Sequence, residues 1–111
     1  FFERFERMLQ RDKNHPSVVM WSTGNETGTG PVMFEQAEYA RKVDGTRLIM
    51  HQSNNVDGFV AYCDIAGPRY PSPEKLRWFA SYFDVPVVMG EYMLGLKRQS
   101  DEEIGRVCHE R

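Results

Sequence analysis

The sequence predicts an α/β fold in which helices cover a parallel sheet, and three observations support this prediction. Short apolar segments alternate along the chain with segments that have helical periodicity. The apolar residues, taken with the nine glycines, make up about half of the 111 residues, which is typical of a domain with a buried core. Small polar loops that hold glycine follow several apolar segments. Alternation of this kind is typical of parallel strands joined by helices.

The charge balance argues against two classes of partner. Fourteen Lys and Arg against sixteen Asp and Glu leave a net charge of -2, and no basic run is longer than Lys97-Arg98. We therefore expect neither nucleic acid nor an anionic membrane as a partner, and no apolar stretch approaches the roughly 20 residues of a membrane span. Cys63 and Cys108 lie far apart without a metal-binding spacing, so neither a disulfide framework nor a zinc site is expected. None of these features indicates a cellular compartment.

The first part of the chain predicts two helices with a strand between them. An amphipathic helix covers residues 1–10 and is ended by Asn14-His15-Pro16. Because the chain opens inside this helix, without Met or a capping residue, we expect a piece cut from a longer protein. Residues 18–21 predict an apolar strand covered on both faces. Residues 22–30 then hold three glycines and predict a loop, and Pro31 begins a helix that ends at Asp44-Gly45.

The second part continues the alternation. Strands are predicted at residues 47–51, near 63–66 and at 85–89. The connection between the first two is just long enough for a parallel crossover and holds at most a turn or two of helix. Ser72 caps a helix that has proline at its first position, and residues 100–103 form a Ser-x-x-Glu capping box for a last helix.

The number of elements sets the scale of the fold. At about 30 residues for each strand–helix unit, the chain holds about four units. A closed eight-stranded barrel takes about 250 residues. The chain is therefore long enough for half of such a barrel or for a small open sheet.

Two carboxylates mark the place where chemistry is expected. Glu26 and Glu91 each follow an apolar strand closely, and ligands of parallel α/β folds bind at the carboxyl ends of the strands. Glycoside hydrolysis needs such a pair, since one carboxyl protonates the leaving oxygen while the other attacks or activates water. The alternative is that both are solvated loop residues.

Three segments resemble a known family. Residues 11–28 resemble the acid/base signature of glycoside hydrolase family 2, the β-galactosidase and β-glucuronidase family. Asp64-Ile65 followed by Tyr70, and then residues 86–92, resemble later active-site segments of that family in the right order. The resemblance covers about residues 3–92. Gly-Asn-Glu followed by Thr-Gly is closer to the β-galactosidases than to the glucuronidases or mannosidases.

The resemblance implies a retaining hydrolase on a partial TIM barrel, roughly strands four to seven with their helices. It implies that Glu26 is the acid/base and Glu91 the nucleophile, that Asn25 bonds the sugar 2-hydroxyl, and that Tyr70 orients the nucleophile. The implied reaction is hydrolysis of terminal β-galactosides. The alternatives are a β-glucuronidase or β-mannosidase of the same family, or a half barrel that is inactive on its own.

Trp21, His51 and the segment Asn25-Glu26-Thr27 each allow a functional interpretation and an alternative one. Trp21 is either a sugar platform or a core residue, and His51, at the end of its strand, either lines the pocket or is structural. Asn25-Glu26-Thr27 also matches a glycosylation sequon, although a modified catalytic Asn would not work. Several β-galactosidases of the family bind magnesium near the acid/base. The other ligands would come from segments that this chain lacks, so we assign no metal site and no certain cofactor.

The chain also departs from the family pattern. Leu94 stands where β-galactosidases of this kind usually have a histidine, so residues 92–111 are expected to diverge from the family within a single fragment of residues 1–111. An open sheet leaves unpaired edges. We therefore expect the chain to associate with itself or with the remaining barrel segments of the parent enzyme, and to hydrolyse little substrate alone.

Overall fold

The structure is a computed structural model that describes residues 1–53, 62–91 and 98–109. Helices and strands alternate in it, as predicted. The helices are α1 (Phe2–Asp12), α2 (Pro31–Val43), α3 (Pro73–Tyr82) and α4 (Arg98–His109), and the strands are β1 (Met20–Asn25), β2 (Leu48–Gln52) and β3 (Ile65–Gly67). Within the described ranges, none of the helices is both long and apolar enough to cross a membrane.

The three strands form a parallel sheet in the order β1-β2-β3. Met20 pairs with Leu48, and Met50 pairs with Ile65. Consecutive parallel strands place all their carboxyl ends at one edge of the sheet, and the loops that leave this edge carry the candidate site.

The segment predicted as a strand at 85–89 runs beside β3 but is not a continuous strand. It makes two isolated parallel bridges, Ala66 with Val87 and Arg69 with Glu91. Pro86 has no N–H to donate, but its carbonyl accepts from the Ala66 amide at 3.0 Å, and the Val88 amide donates to the Ala66 carbonyl at 2.9 Å. The segment therefore occupies the place of a fourth strand with a broken ladder.

The strand β1 differs from the prediction in its bounds and in its burial. It extends through Asn25, which pairs with Gln52 after a shift in register, so part of the predicted 22–30 loop is strand. Trp21 and Thr23 are buried whereas Ser22 is exposed, so β1 is covered on one face and not on both. Because pairing with β2 continues to the end of β1, Glu26 follows the strand directly.

Helix ends agree with the sequence at two of three places. α2 begins at Pro31 and ends at Val43, as predicted. The Ser72 hydroxyl accepts a hydrogen bond from the Lys75 amide at 3.2 Å, which confirms the predicted cap of α3. α4 begins at Arg98, two residues before Ser100, so the capping box at 100–103 does not mark the start of that helix.

The core lies between the sheet and its helices. Its largest cluster joins α1 and α2 to the strands and consists of Phe5, Leu9, Trp21, Met33, Ala37, Ala40, Ile49 and Cys63. A second cluster packs α3 on β3 through Phe79, Phe83 and Ala66. Leu76 of α3 contacts Ile104 and Val107 of α4 in a third. These contacts hold the strand ends in place beneath the candidate site.

Candidate active site

The two candidate carboxylates, Glu26 and Glu91, lie at the carboxyl edge of the sheet, where Glu26 and Tyr70 have unusual backbone conformations. Glu26 has φ of 51°, and its amide donates to the Gln52 carbonyl at 3.1 Å. Tyr70 has φ of 44°, and its amide donates to the Glu91 carbonyl at 2.7 Å. Positive φ is uncommon for residues other than glycine and is often found at functional sites. In the described part of the chain both such residues belong to this site.

Arg69 joins the two carboxylates. Its Nη1 lies 2.8 Å from Oε1 of Glu26, and its Nη2 lies 2.6 Å from Oε2 of Glu91. Because one planar guanidinium contacts both oxygens, these two atoms are at most about 8 Å apart. Retaining glycosidases hold their carboxyls about 5 to 5.5 Å apart, a separation that lies within this limit.

Exposure differs sharply across this group. The Arg69 side chain is 4% exposed, whereas the Glu26 side chain is 64% exposed and that of Glu91 is 40% exposed. The cation therefore lies below the carboxylates, and the carboxylates face solvent. A substrate that approaches from solvent meets the two carboxylates first.

Tyr70 and Arg69 together set the charge state of Glu91. The Tyr70 hydroxyl donates to Oε2 of Glu91. This hydrogen bond, and then the hydrogen bond from Arg69, hold the pKa of Glu91 below its ordinary value, although desolvation opposes them. The same hydrogen bond raises the pKa of Tyr70, because the phenol that donates to a carboxylate keeps its proton. Burial works to lower the pKa of Arg69, yet the hydrogen bonds to Glu91 and Tyr70 raise it overall. Glu91 is therefore ionised at neutral pH.

The other predicted site residues lie in different surroundings. Asn25 is exposed at the end of β1, beside Glu26. His51 is completely buried on β2, where its Nδ1 lies 3.0 Å from the Thr23 hydroxyl. It therefore packs beneath the end of β1 and does not reach the solvent-facing side of the site.

Trp21 is separate from the candidate site. It is 3% exposed in the core cluster between sheet and helices, and its Nε1 donates to Oδ2 of Asp44 at 2.9 Å. A ring that is covered by α1 and α2 has no surface for a sugar. The structure therefore favours the core interpretation over the sugar platform.

Arg69 is the residue that sequence reasoning missed. It comes two residues after β3, and Pro68 and Tyr70 flank it. A signal was present, because a charged side chain directly after an apolar strand is at the edge where ligands bind. The sequence does not indicate that this cation reaches both carboxylates.

Among residues 1–53, 62–91 and 98–109, no group of three or more His, Cys, Asp or Glu side chains is arranged to hold a metal ion. Leu94 lies outside the described residues, and the divergence of residues 92–111 stays a prediction.

Comparisons with known proteins show which family and which fold the chain resembles. Three curated relatives are β-galactosidases, from Alteromonas mediterranea, Psychromonas ingrahamii and Halalkalibacterium halodurans. They are 37%, 36% and 31% identical over 63%, 68% and 82% of this chain, which spans only 6%, 7% and 9% of their lengths. A solved β-D-glucuronidase from Dictyoglomus thermophilum has a TM-score of 0.69 at 23% identity and covers 97% of this chain with 25% of its own.

The family model for the TIM barrel domain of glycosyl hydrolases family 2 matches residues 1–99. This match covers most of the chain, and the solved enzyme has the same arrangement of strands and helices over nearly all of it. The alternating elements described above are therefore part of a (β/α)8 barrel. The chain belongs to glycoside hydrolase family 2 and comprises part of its catalytic barrel domain.

Proposed function

We propose that this chain supplies the two catalytic carboxylates of a retaining β-galactosidase, with Glu26 as acid/base and Glu91 as nucleophile. The observation that carries the proposal is the convergence of both carboxylates on one buried guanidinium at the carboxyl edge of the sheet. A retaining reaction uses one carboxyl as the nucleophile and the other first as an acid and then as a base.

In the first step, a carboxylate oxygen of Glu91 attacks the anomeric carbon of the sugar. The bond to the glycosidic oxygen breaks, and Glu26 gives its proton to that oxygen as the aglycone leaves. The hydrogen bond from Tyr70 and the contact with Arg69 support this role, because they lower the pKa of Glu91 and so favour its ionised form. Asn25, which is exposed beside Glu26, is available to the sugar 2-hydroxyl.

In the second step, Glu26 acts as a base. It takes a proton from water, the resulting hydroxide attacks the anomeric carbon, and the ester bond to Glu91 breaks. The sugar leaves with its original anomeric configuration. The exposure of Glu26, at 64%, gives water access to it.

The relatives support galactose as the sugar. Three β-galactosidases are 31 to 37% identical to the chain, whereas the glucuronidase is 23% identical and supports the fold alone. The second candidate is a half barrel without activity of its own. The small share of the relatives that the chain spans, 6 to 9%, favours this candidate over full activity of the isolated chain.

Mechanism-based labelling tests the proposal. We expect a 2-deoxy-2-fluoro-β-galactoside with a good leaving group to form a stable ester with Glu91, which peptide mapping locates. Glu91→Gln should abolish the label, and the matched variant Glu74→Gln, at an exposed carboxylate of α3, should keep it. A label on another residue, or preference for the fluoro-glucuronide, contradicts the proposal. No label from either sugar supports the inactive half barrel.

A further inference from the structure

The guanidinium of Arg69 contacts one oxygen of each candidate catalytic carboxylate. Nη1 contacts Oε1 of Glu26, and Nη2 contacts Oε2 of Glu91 and lies 3.3 Å from the Tyr70 hydroxyl. The Cζ atom lies 5.1 Å from the centre of the Tyr70 ring. The planar fork of an arginine is rigid, so it imposes a distance and an orientation that a flexible lysine cannot impose.

We propose that Arg69 is a positioning residue that holds Glu26 and Glu91 as one charged pair and orients a specific oxygen of each toward the substrate. With Oε1 of Glu26 on Arg69, Oε2 is left to carry the proton for the leaving group. With Oε2 of Glu91 held by Arg69 and Tyr70, Oε1 is left to attack the anomeric carbon. The roles of Glu26 and Glu91 rest on the proposed function. The clamp, which is the set of contacts between Arg69 and these two carboxylates, rests on the distances alone.

The burial of Arg69 favours both contacts, because leaving a buried charge without a partner is costly. Arg69 is 4% exposed, so the carboxylates are its means of neutralisation. The positive charge of Arg69 favours the ionised form of Glu91.

The charged and titratable groups that contact Arg69 come from three neighbouring segments of the fold. Among the described residues, Glu26 reaches it from the end of β1, Glu91 from the segment beside β3, and Tyr70 from the loop after β3. His51 of β2 is buried below the end of β1, where its Nδ1 lies 3.0 Å from the Thr23 hydroxyl. The titration of Glu91 therefore reports chiefly on Arg69 and Tyr70.

Carboxyl-carbon NMR titration of the chain tests the clamp without any need for turnover. In Arg69→Met, which keeps much of the length but removes the charge, we expect the apparent pKa of Glu91 to rise by about 1 to 3. The matched variant is Arg41→Met, which removes a half-buried arginine that pairs with Asp64 away from the site. It should leave the titration of Glu91 unchanged even if it costs stability.

Two more measurements separate positioning from a merely structural role. Arg69→Lys keeps a charge but not the fork, so it should show an intermediate pKa for Glu91 and a slower labelling rate by the fluoro-galactoside. Added guanidinium ion should restore the Glu91 titration in Arg69→Ala but not in Arg69→Lys. An unchanged Glu91 titration in a folded Arg69→Met or Arg69→Lys variant overturns the inference. Failure of the labelling reaction in the unaltered chain supports the inactive half barrel instead and does not affect the titration test of Arg69.

Discussion

Asp44 offers the most direct test of how the sheet is held to its helices. It lies directly after α2, and its side chain is 6% exposed. Oδ2 accepts from Nε1 of Trp21 at 2.9 Å and from Nη1 of Arg47. Oδ1 accepts from the hydroxyl and the amide of Thr46. Arg47 in turn donates to the Val18, Lys13 and His15 carbonyls, so the cluster ties the loop before β1 to the end of α2.

The pKa of Asp44 gives the size of this contribution. Hydrogen bonds from Thr46, and then from Arg47 and Trp21, lower it from 3.8 to about 2 against the opposing effect of burial. A difference of this size corresponds to about 2.5 kcal/mol of folding free energy. Because the folded pKa lies below the unfolded one, this stabilisation is complete above about pH 5 and is lost as pH falls through about 2.

We expect Asp44→Asn to lower the free energy of unfolding by at least about 2.5 kcal/mol at pH 7, since it removes the charge and leaves Arg47 without its anion. Urea unfolding followed by circular dichroism measures this loss. The difference between the two proteins should shrink between pH 4 and pH 2. Asp12→Asn is the matched control, because Asp12 pairs with the exposed Arg11, and it should change stability little. A difference that is small at pH 7, or that does not change with pH, refutes the reasoning.

Two further variants test the site and the sheet. Tyr70→Phe removes the hydroxyl that donates to Glu91, so it should raise the pKa of Glu91 and move the acid limb of the labelling-rate profile to higher pH. It should also slow labelling about tenfold or more, since a hydrogen bond to a charged group is worth about 1.5 to 3 kcal/mol. A profile that matches the unaltered chain contradicts this role. Gly67→Ala places a Cβ 2.8 Å from the His51 carbonyl oxygen and should destabilise the chain by about 1 to 3 kcal/mol in urea unfolding, whereas Gly28→Ala, which meets no atom within 4 Å, should not. Equal effects of the two glycine variants contradict the packing argument.

Local signals predicted the elements whose ends are set by local chemistry. Pro31 and the Ser72-Pro73 cap define where α2 and α3 begin, because a proline at the first helical position and a hydroxyl cap act within one turn. The end of β1 is different, since its pairing with Gln52 of β2 keeps Asn25 extended despite three glycines in the region. Residues 85–89 are predicted to be a strand, but they make only isolated bridges to β3 and its following loop, because Pro86 interrupts the otherwise apolar segment. Pairing between distant residues decides both cases, and composition does not report it.

The candidate site could be predicted only in part for a related reason. Strand ends at one edge indicate that Glu26 and Glu91 face the same side, but not that they meet. They follow the first strand and the segment beside the third, which are three strand spacings or about 14 Å apart in a flat sheet. Their oxygens nevertheless contact one guanidinium, so the sheet must curl as a barrel wall does and the side chains must converge. Arg69 follows β3, between the two in the order of the sheet, and is therefore placed to bridge a gap that exists only in the curved fold.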